Sequence, residues 1–186
     1  IYIVIKVTEG EKYYFDGYSV AINGKDGKTV FSPKDFDERF ELKDKGEIFN
    51  NTKFQMDRQM ISFGYASRGY IFARVVPNKT VAEREVEVDG IKEKRKYVKI
   101  DFTIEEGDVA YVESIIIKGN KKTKDKVIRR ELIVKEGELF NAEKMQLSRE
   151  KIYNLGFFKQ VNLDVRPGSR EGYMNLIVDV EEQPSG

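Results

Sequence analysis

The sequence predicts an α+β fold made of tandem units, each running β-α-α-β-β with a helical layer on a sheet. Three observations predict it. Short motifs return at a fixed spacing. Three stretches alternate apolar and polar residues as half-buried strands do. Between them stand amphipathic runs with helix start and stop signals at their ends.

The spacing comes first. Lys45-Gly46-Glu47-Ile48-Phe49-Asn50 returns 91 positions later as Glu136-Gly137-Glu138-Leu139-Phe140-Asn141. A Glu-Leu pair precedes each copy, at Glu41-Leu42 and Glu131-Leu132. Each is followed by an amphipathic run that stops at a glycine and an aromatic, Gly69-Tyr70-Ile71-Phe72 and Gly156-Phe157-Phe158. The alternating stretches are Ile1–Gly10, Val98–Gly107 and Met174–Glu182, all ending in carboxylates. The first has no unit in front of it. Residues 1–9 are therefore expected to be the closing strand of an earlier unit, residues 10–107 the first complete unit and residues 108–186 the second. The chain opens on Ile1 rather than Met and reads as a piece of a longer tandem array.

In the first unit, Tyr13, Tyr14 and Phe15 open strand one, where core and rim packing is the expected role of these aromatics. Helix one has a strong start in Phe31-Ser32-Pro33-Lys34-Asp35-Phe36. Ser32 suits the N-cap, Pro33 the first helical position, and Asp35 reaches back as in a capping box, with Phe31 and Phe36 as a hydrophobic staple. Helix two is expected over about 51–66 and strand two over Tyr70–Val76. Residues 77–96 read as an insertion, with Asp89-Gly90 forming a small hairpin or long turn. Strand three carries Val98, Ile100, Phe102 and Ile104 on one face.

The second unit is the cleaner copy. Strand one covers about 110–117 and stops at Gly119-Asn120. Helix one is expected to cap at Thr123 and run through Val127, Ile128 and Leu132. Helix two starts after Asn141, shows Met145, Ile152 and Leu155 as one stripe, and stops at Gly156. Strand two puts Val161, Leu163 and Val165 on one side and Gln160, Asn162, Asp164 and Arg166 on the other. Pro167-Gly168 turns into strand three, with Met174, Leu176, Val178 and Val180 as its apolar set. Three strands cannot close into a barrel, so each sheet keeps edges.

Composition excludes several chemistries. The 186 residues include no His, no Cys and no Trp. Triads that need His or Cys, thiol redox motifs and nitrogen–sulfur zinc sites are out, and no cofactor is expected. The paired carboxylates Glu105-Glu106 and Glu181-Glu182 recur at strand ends, so they read as part of the repeat rather than as an acid–base pair. The 33 basic and 32 acidic residues nearly cancel, which argues against nucleic acid as a partner. The lysines at 118, 121, 122, 124 and 126 read as a solvated loop. No enzymatic activity is expected.

Taken in order, Val112-x-x-Ile115, Gly119-Asn120-x-x-Thr123, Val127 to Leu132, Glu136-Gly137, Phe140-Asn141 and Asn154-Leu155-Gly156-Phe157-Phe158 resemble the signature of POTRA domains. The resemblance is strongest to the last two such domains before the membrane barrel in BamA-like outer-membrane assembly factors. It implies two antiparallel helices on a three-stranded mixed sheet, with strand three central and strand two exposed. It also implies a periplasmic location, tethered to the outer membrane through a C-terminal barrel of the same parent chain. Unfolded outer-membrane proteins would be the clients, taken up by strand addition at Tyr70, Phe72 and Arg74 and at Lys159, Gln160, Asn162 and Asp164. A lipoprotein of the BamD kind would dock at Arg129, Arg130 and Glu136. The same fold serves TamA-type factors, two-partner-secretion transporters and plastid import pores.

Overall fold

The computed structural model describes residues 10–184. The strand expected over residues 1–9 lies outside the described residues. The chain divides into two compact units, each built around one three-stranded sheet.

The first sheet has β1 (Tyr13–Asn23), β2 (Arg74–Val88) and β3 (Ile91–Glu105) in the order β1-β3-β2. Helices α1 (Lys34–Asp37) and α2 (Asn51–Ala66) complete the β-α-α-β-β order. The start of α1 follows the expected chemistry with one change. Asp35 accepts the Ser32 N–H at 2.6 Å, but the Ser32 hydroxyl donates to the same carboxylate instead of capping the helix, and the cap passes to Pro33. The Phe31 and Phe36 rings meet at 5.2 Å as a staple. The core is aromatic: Phe102 of β3 stacks on Phe40 at 5.8 Å and on Phe54 of α2 at 6.1 Å.

Residues 77–96 are not an insertion between strands. β2 and β3 run through them as 15-residue strands joined at Asp89-Gly90, both with positive φ as a tight hairpin turn requires. The outer part of this arm is exposed and bears cross-strand pairs, Lys92–Glu85 and Lys94–Glu83, each at 3.3 Å.

The second sheet has β4 (Tyr111–Lys118), β5 (Phe158–Pro167) and β6 (Tyr173–Glu182) in the order β4-β6-β5. β6 runs parallel to β4 and antiparallel to β5, so the sheet is mixed with the last strand central. Helices α3 (Asp125–Arg129) and α4 (Ala142–Tyr153) precede β5. Ile128 and Ile152 join Val112, Ile115, Val161, Leu176, Val178 and Val180 in one core, with Met145 and Leu155 packed against it. Asn141 caps α4 by accepting the Lys144 N–H at 2.9 Å. α3 is shorter than its apolar run suggests and caps one residue late, at Lys124. The Thr123 N–H is committed elsewhere, to the Glu182 carboxylate at 2.7 Å.

Candidate functional site

An outer strand recognises other chains through the backbone groups it leaves unpaired. On β4 those groups are largely taken. The loop after α3 runs beside it: Val112 N–H donates to the Glu138 carbonyl at 2.9 Å, Gly137 N–H to the Val112 carbonyl at 2.7 Å, and Phe140 N–H to the Ala110 carbonyl at 2.9 Å. An irregularity between Val112 and Ser114 resets the register and makes Ile115 the next residue facing outward. Two side chains meet there. Ile115 N–H donates to Glu136 Oε1 at 2.8 Å, and Arg129 Nη2 donates to the Ile115 carbonyl at 2.8 Å. Arg129 and Glu136 stand 3.7 Å apart. Arg129 is the last residue of α3, and Glu136 precedes the left-handed Gly137 that turns the loop along β4. Arg130, the third expected docking residue, turns to Glu131 at 3.3 Å and does not join them.

β5 is different. Gly168 N–H donates to the Tyr173 carbonyl at 2.8 Å, which sets the phase of the β5–β6 ladder. In an antiparallel pair alternate residues bond to the partner and those between point away. Gln160, Asn162, Asp164 and Arg166 thus bond to β6. Val161, Leu163 and Val165 turn their N–H and C=O outward. Pro167 follows in the outward phase, where a missing N–H costs no ladder bond. Asp164 Oδ1 accepts the Val165 N–H at 2.9 Å, closing that position. Among the described residues nothing pairs with the outward groups of Val161 and Leu163. A groove of about 580 Å³ lies between the end of α4 and this edge, lined by Val161 with Arg149, Tyr153, Lys159 and Asn162. Lys159, Gln160, Asn162 and Asp164 are all exposed, Lys159 pairing with Glu181 at 3.0 Å.

In the first sheet β1 is covered in the same way as β4. Phe15 N–H donates to the Glu47 carbonyl at 2.8 Å and Phe49 N–H to the Tyr13 carbonyl at 2.7 Å. The residue that matches Glu136 is Lys45, whose side chain lies over Gly17 and grips no backbone group among the hydrogen bonds described. On β2 the structure corrects the expected edge. The strand begins at Arg74, so Tyr70 and Phe72 sit in the turn before it. The left-handed Gly69 ends α2 and throws Tyr70 N–H back onto the Tyr65 carbonyl at 3.0 Å, which delays the strand. Pro77 then removes one donor from this edge, and Lys79 folds over the Phe54 ring at 4.0 Å.

The strand-end carboxylates hold loops. Glu106, 2% exposed, accepts Val30 N–H and the Tyr65 hydroxyl, both at 2.9 Å. Glu182 accepts Thr123 N–H at 2.7 Å and Lys122 N–H at 3.0 Å, and these donors hold its carboxyl below the usual range. Among the described residues no group of three or more carboxylates could cage a metal ion. Sequence reasoning named Arg129 and Glu136 but missed their grip on Ile115 and the Asp164 cap. The Glu136-Gly137 pair beside a strand was the one local signal.

Comparison with known proteins gives a consistent answer. The chain is 33% identical over 177 residues, 95% of its length, to a Treponema pallidum (strain Nichols) protein provisionally named an outer membrane protein assembly factor. It is 28% identical over its full length to the outer membrane protein assembly factor BamA of Nitratidesulfovibrio vulgaris. It spans about a fifth of these relatives, 19% and 22% of their lengths. Two solved structures share its fold. The Haemophilus influenzae BamA POTRA3-5 structure has a TM-score of 0.70 at 18% identity, covering 91% of this chain and 61% of that one. Haemophilus ducreyi BamA lacking POTRA domains 1-3 has 0.60 at 20%, covering 92% and 30%. The POTRA model, described as the surface antigen variable number repeat, matches residues 19–107 and again 110–183, and the chain therefore belongs to the POTRA family as two tandem repeats.

Proposed function

We propose that the chain is part of the periplasmic arm of an outer-membrane β-barrel assembly factor. Its second repeat receives extended segments of unfolded outer-membrane proteins by strand addition to β5. The observation that carries this is the asymmetry of the edges: among the described residues nothing pairs with the outward backbone of Val161 and Leu163, which stand beside a groove, while β4 is closed as far as Ile115. Backbone pairing is indifferent to client sequence, which suits a receptor for many clients. The names of the relatives support the same reading. The repeats are taken as 10–107 and 108–186, within a parent whose barrel sits in the outer membrane. A lipoprotein of the BamD kind docks on the surface around Arg129, Arg130 and Glu136, and the repeats themselves are non-catalytic.

The test places a photo-cross-linking residue at Asn162 and, separately, at Ser114 on β4. An unfolded outer-membrane protein is expected to cross-link to Asn162 and not to Ser114. Equal labelling at both positions, or none at Asn162, would overturn the reading. For the docking surface, capture of the lipoprotein is expected to drop at least tenfold in Glu136→Lys.

A further inference from the structure

The second repeat has two outer strands, and past the loop that covers the start of β4 the two become comparable. On β5 the outward residues with no partner among the described residues are Val161 and Leu163. On β4, past the loop that covers Ala110 and Val112, the outward residues are Ile115 and Ile117. Each edge would thus present two successive outward residues, enough to start a ladder with an added strand. The difference is that both backbone groups of Ile115 are occupied by Arg129 and Glu136, each bond at 2.8 Å. This leaves Ile117 alone, and one outward residue does not make a ladder. Neither side chain is buried: Arg129 and Glu136 keep 46% and 50% of their side-chain surface exposed. They hold Ile115 from the solvent side and can be reached there. The first repeat shows no such device among the described residues: Glu38 stands 91 positions before Arg129, and Lys45, which matches Glu136, lies over Gly17.

We propose that Arg129 and Glu136 form a lock on β4, and that β4 is a second strand acceptor opened when a partner draws these two side chains away. The proposal rests on the strand-addition reading of β5. It gives that reading a control: one edge stays open and the other is gated. The partner must offer what the lock gives up, a carboxylate for the Arg129 guanidinium and a cation for the Glu136 carboxylate on one protein surface. Once they are engaged, Ile115 N–H and C=O face an incoming extended chain together with those of Ile117. The chemistry of the lock also fixes what each variant does. Glu136→Gln retains an oxygen acceptor for Ile115 N–H but loses the charge. Glu136→Ala loses both, and Arg129→Ala frees only the carbonyl.

Two measurements on the folded chain test this. Amide hydrogen exchange reads the lock without any client. Ile115 N–H is expected to exchange slowly in the wild type and in Glu136→Gln, and about tenfold faster or more in Glu136→Ala. Cross-linking from Ser114 to an unfolded outer-membrane protein reads the acceptor. It is expected to be absent in the wild type and to appear in the Arg129→Ala/Glu136→Ala double variant, or, if that variant unfolds, in Arg129→Met/Glu136→Met, which keeps the aliphatic stems and releases both backbone groups of Ile115. Labelling from Asn162 in a parallel sample reports whether client is bound at β5. Fast exchange of Ile115 in the wild type overturns the lock. A silent Ser114 in the unlocked variant while Asn162 still labels overturns the second acceptor. Absence of labelling at Asn162 counts against strand addition at β5 instead, and the exchange result still decides the lock.

Discussion

Asp57 is 2% exposed, a carboxyl group buried in the first repeat. Its two oxygens accept Glu41 N–H at 2.6 Å and Leu42 N–H at 3.1 Å, fixing the loop after α1 against α2. In the second repeat, 91 positions on, Ser148 does a related task. Its hydroxyl accepts Ile133 N–H at 2.9 Å and donates to the Lys144 carbonyl at 2.7 Å. One position therefore has two solutions, a carboxylate with two acceptors and a hydroxyl with one. Burial pushes the Asp57 carboxyl above its ordinary value, more than its two N–H donors pull it down. The folded state thus holds that proton more tightly than the unfolded chain. Its contribution to stability is full below the ordinary value of 3.8 and is lost as pH rises through the folded value. In urea titrations, the stability of the wild type minus that of Asp57→Ser is expected to fall as pH rises across this window. Asp57→Ala strands both N–H groups and is expected to cost about 2 kcal/mol at pH 7.

Among elements, β5 offers the clearest separation of inward from outward chemistry. Asn162→Pro removes a ladder bond to β6 and is expected to destabilise the repeat by about 3 kcal/mol in urea titrations. Leu163→Pro removes an outward N–H instead. Its fold is expected to survive by circular dichroism, with client cross-linking reduced about fivefold or more. How far such elements were legible depended on how local their causes are. The Asn141 cap and the Gly156 stop need only their own turn, and both stand where the sequence puts them. α3 ends early as its backbone tightens, Glu131 N–H bonding to the Ile128 carbonyl and Leu132 N–H to the Arg129 carbonyl, and the equally short α1 shows that the short first helix belongs to the repeat. The 77–96 stretch was misread for a different reason. Strands are recognised by one apolar face, and this arm reaches past the part of the sheet that has a core, so Glu83, Glu85, Lys92 and Lys94 occupy the face that would have been apolar. The site shows the same division. The polar outer face of β5 follows from alternation alone, whereas the Ile115 lock needs residues from three separate elements and leaves no periodic trace.

For the whole molecule, the charge balance fixes the kind of binding that is available. A net charge of +1 over 186 residues gives no long-range field to draw a charged client. Pairing through backbone groups also has little to lose to screening. Client affinity for the chain is therefore expected to change by less than about threefold between 50 and 300 mM salt, measured by fluorescence anisotropy with a labelled unfolded outer-membrane protein. A drop of tenfold would place the recognition in side-chain charge instead. The strand order carries a consequence in time. β4 and β5 do not touch; β6, the last strand in the sequence, joins them. A repeat whose chain becomes available from its N-terminus therefore has its helices and both outer strands before it has anything to hold the outer strands together. Its sheet cannot close before the last strand, the ten residues Tyr173–Glu182 in the second repeat, is present. Each repeat is thus complete only when its last strand is in place.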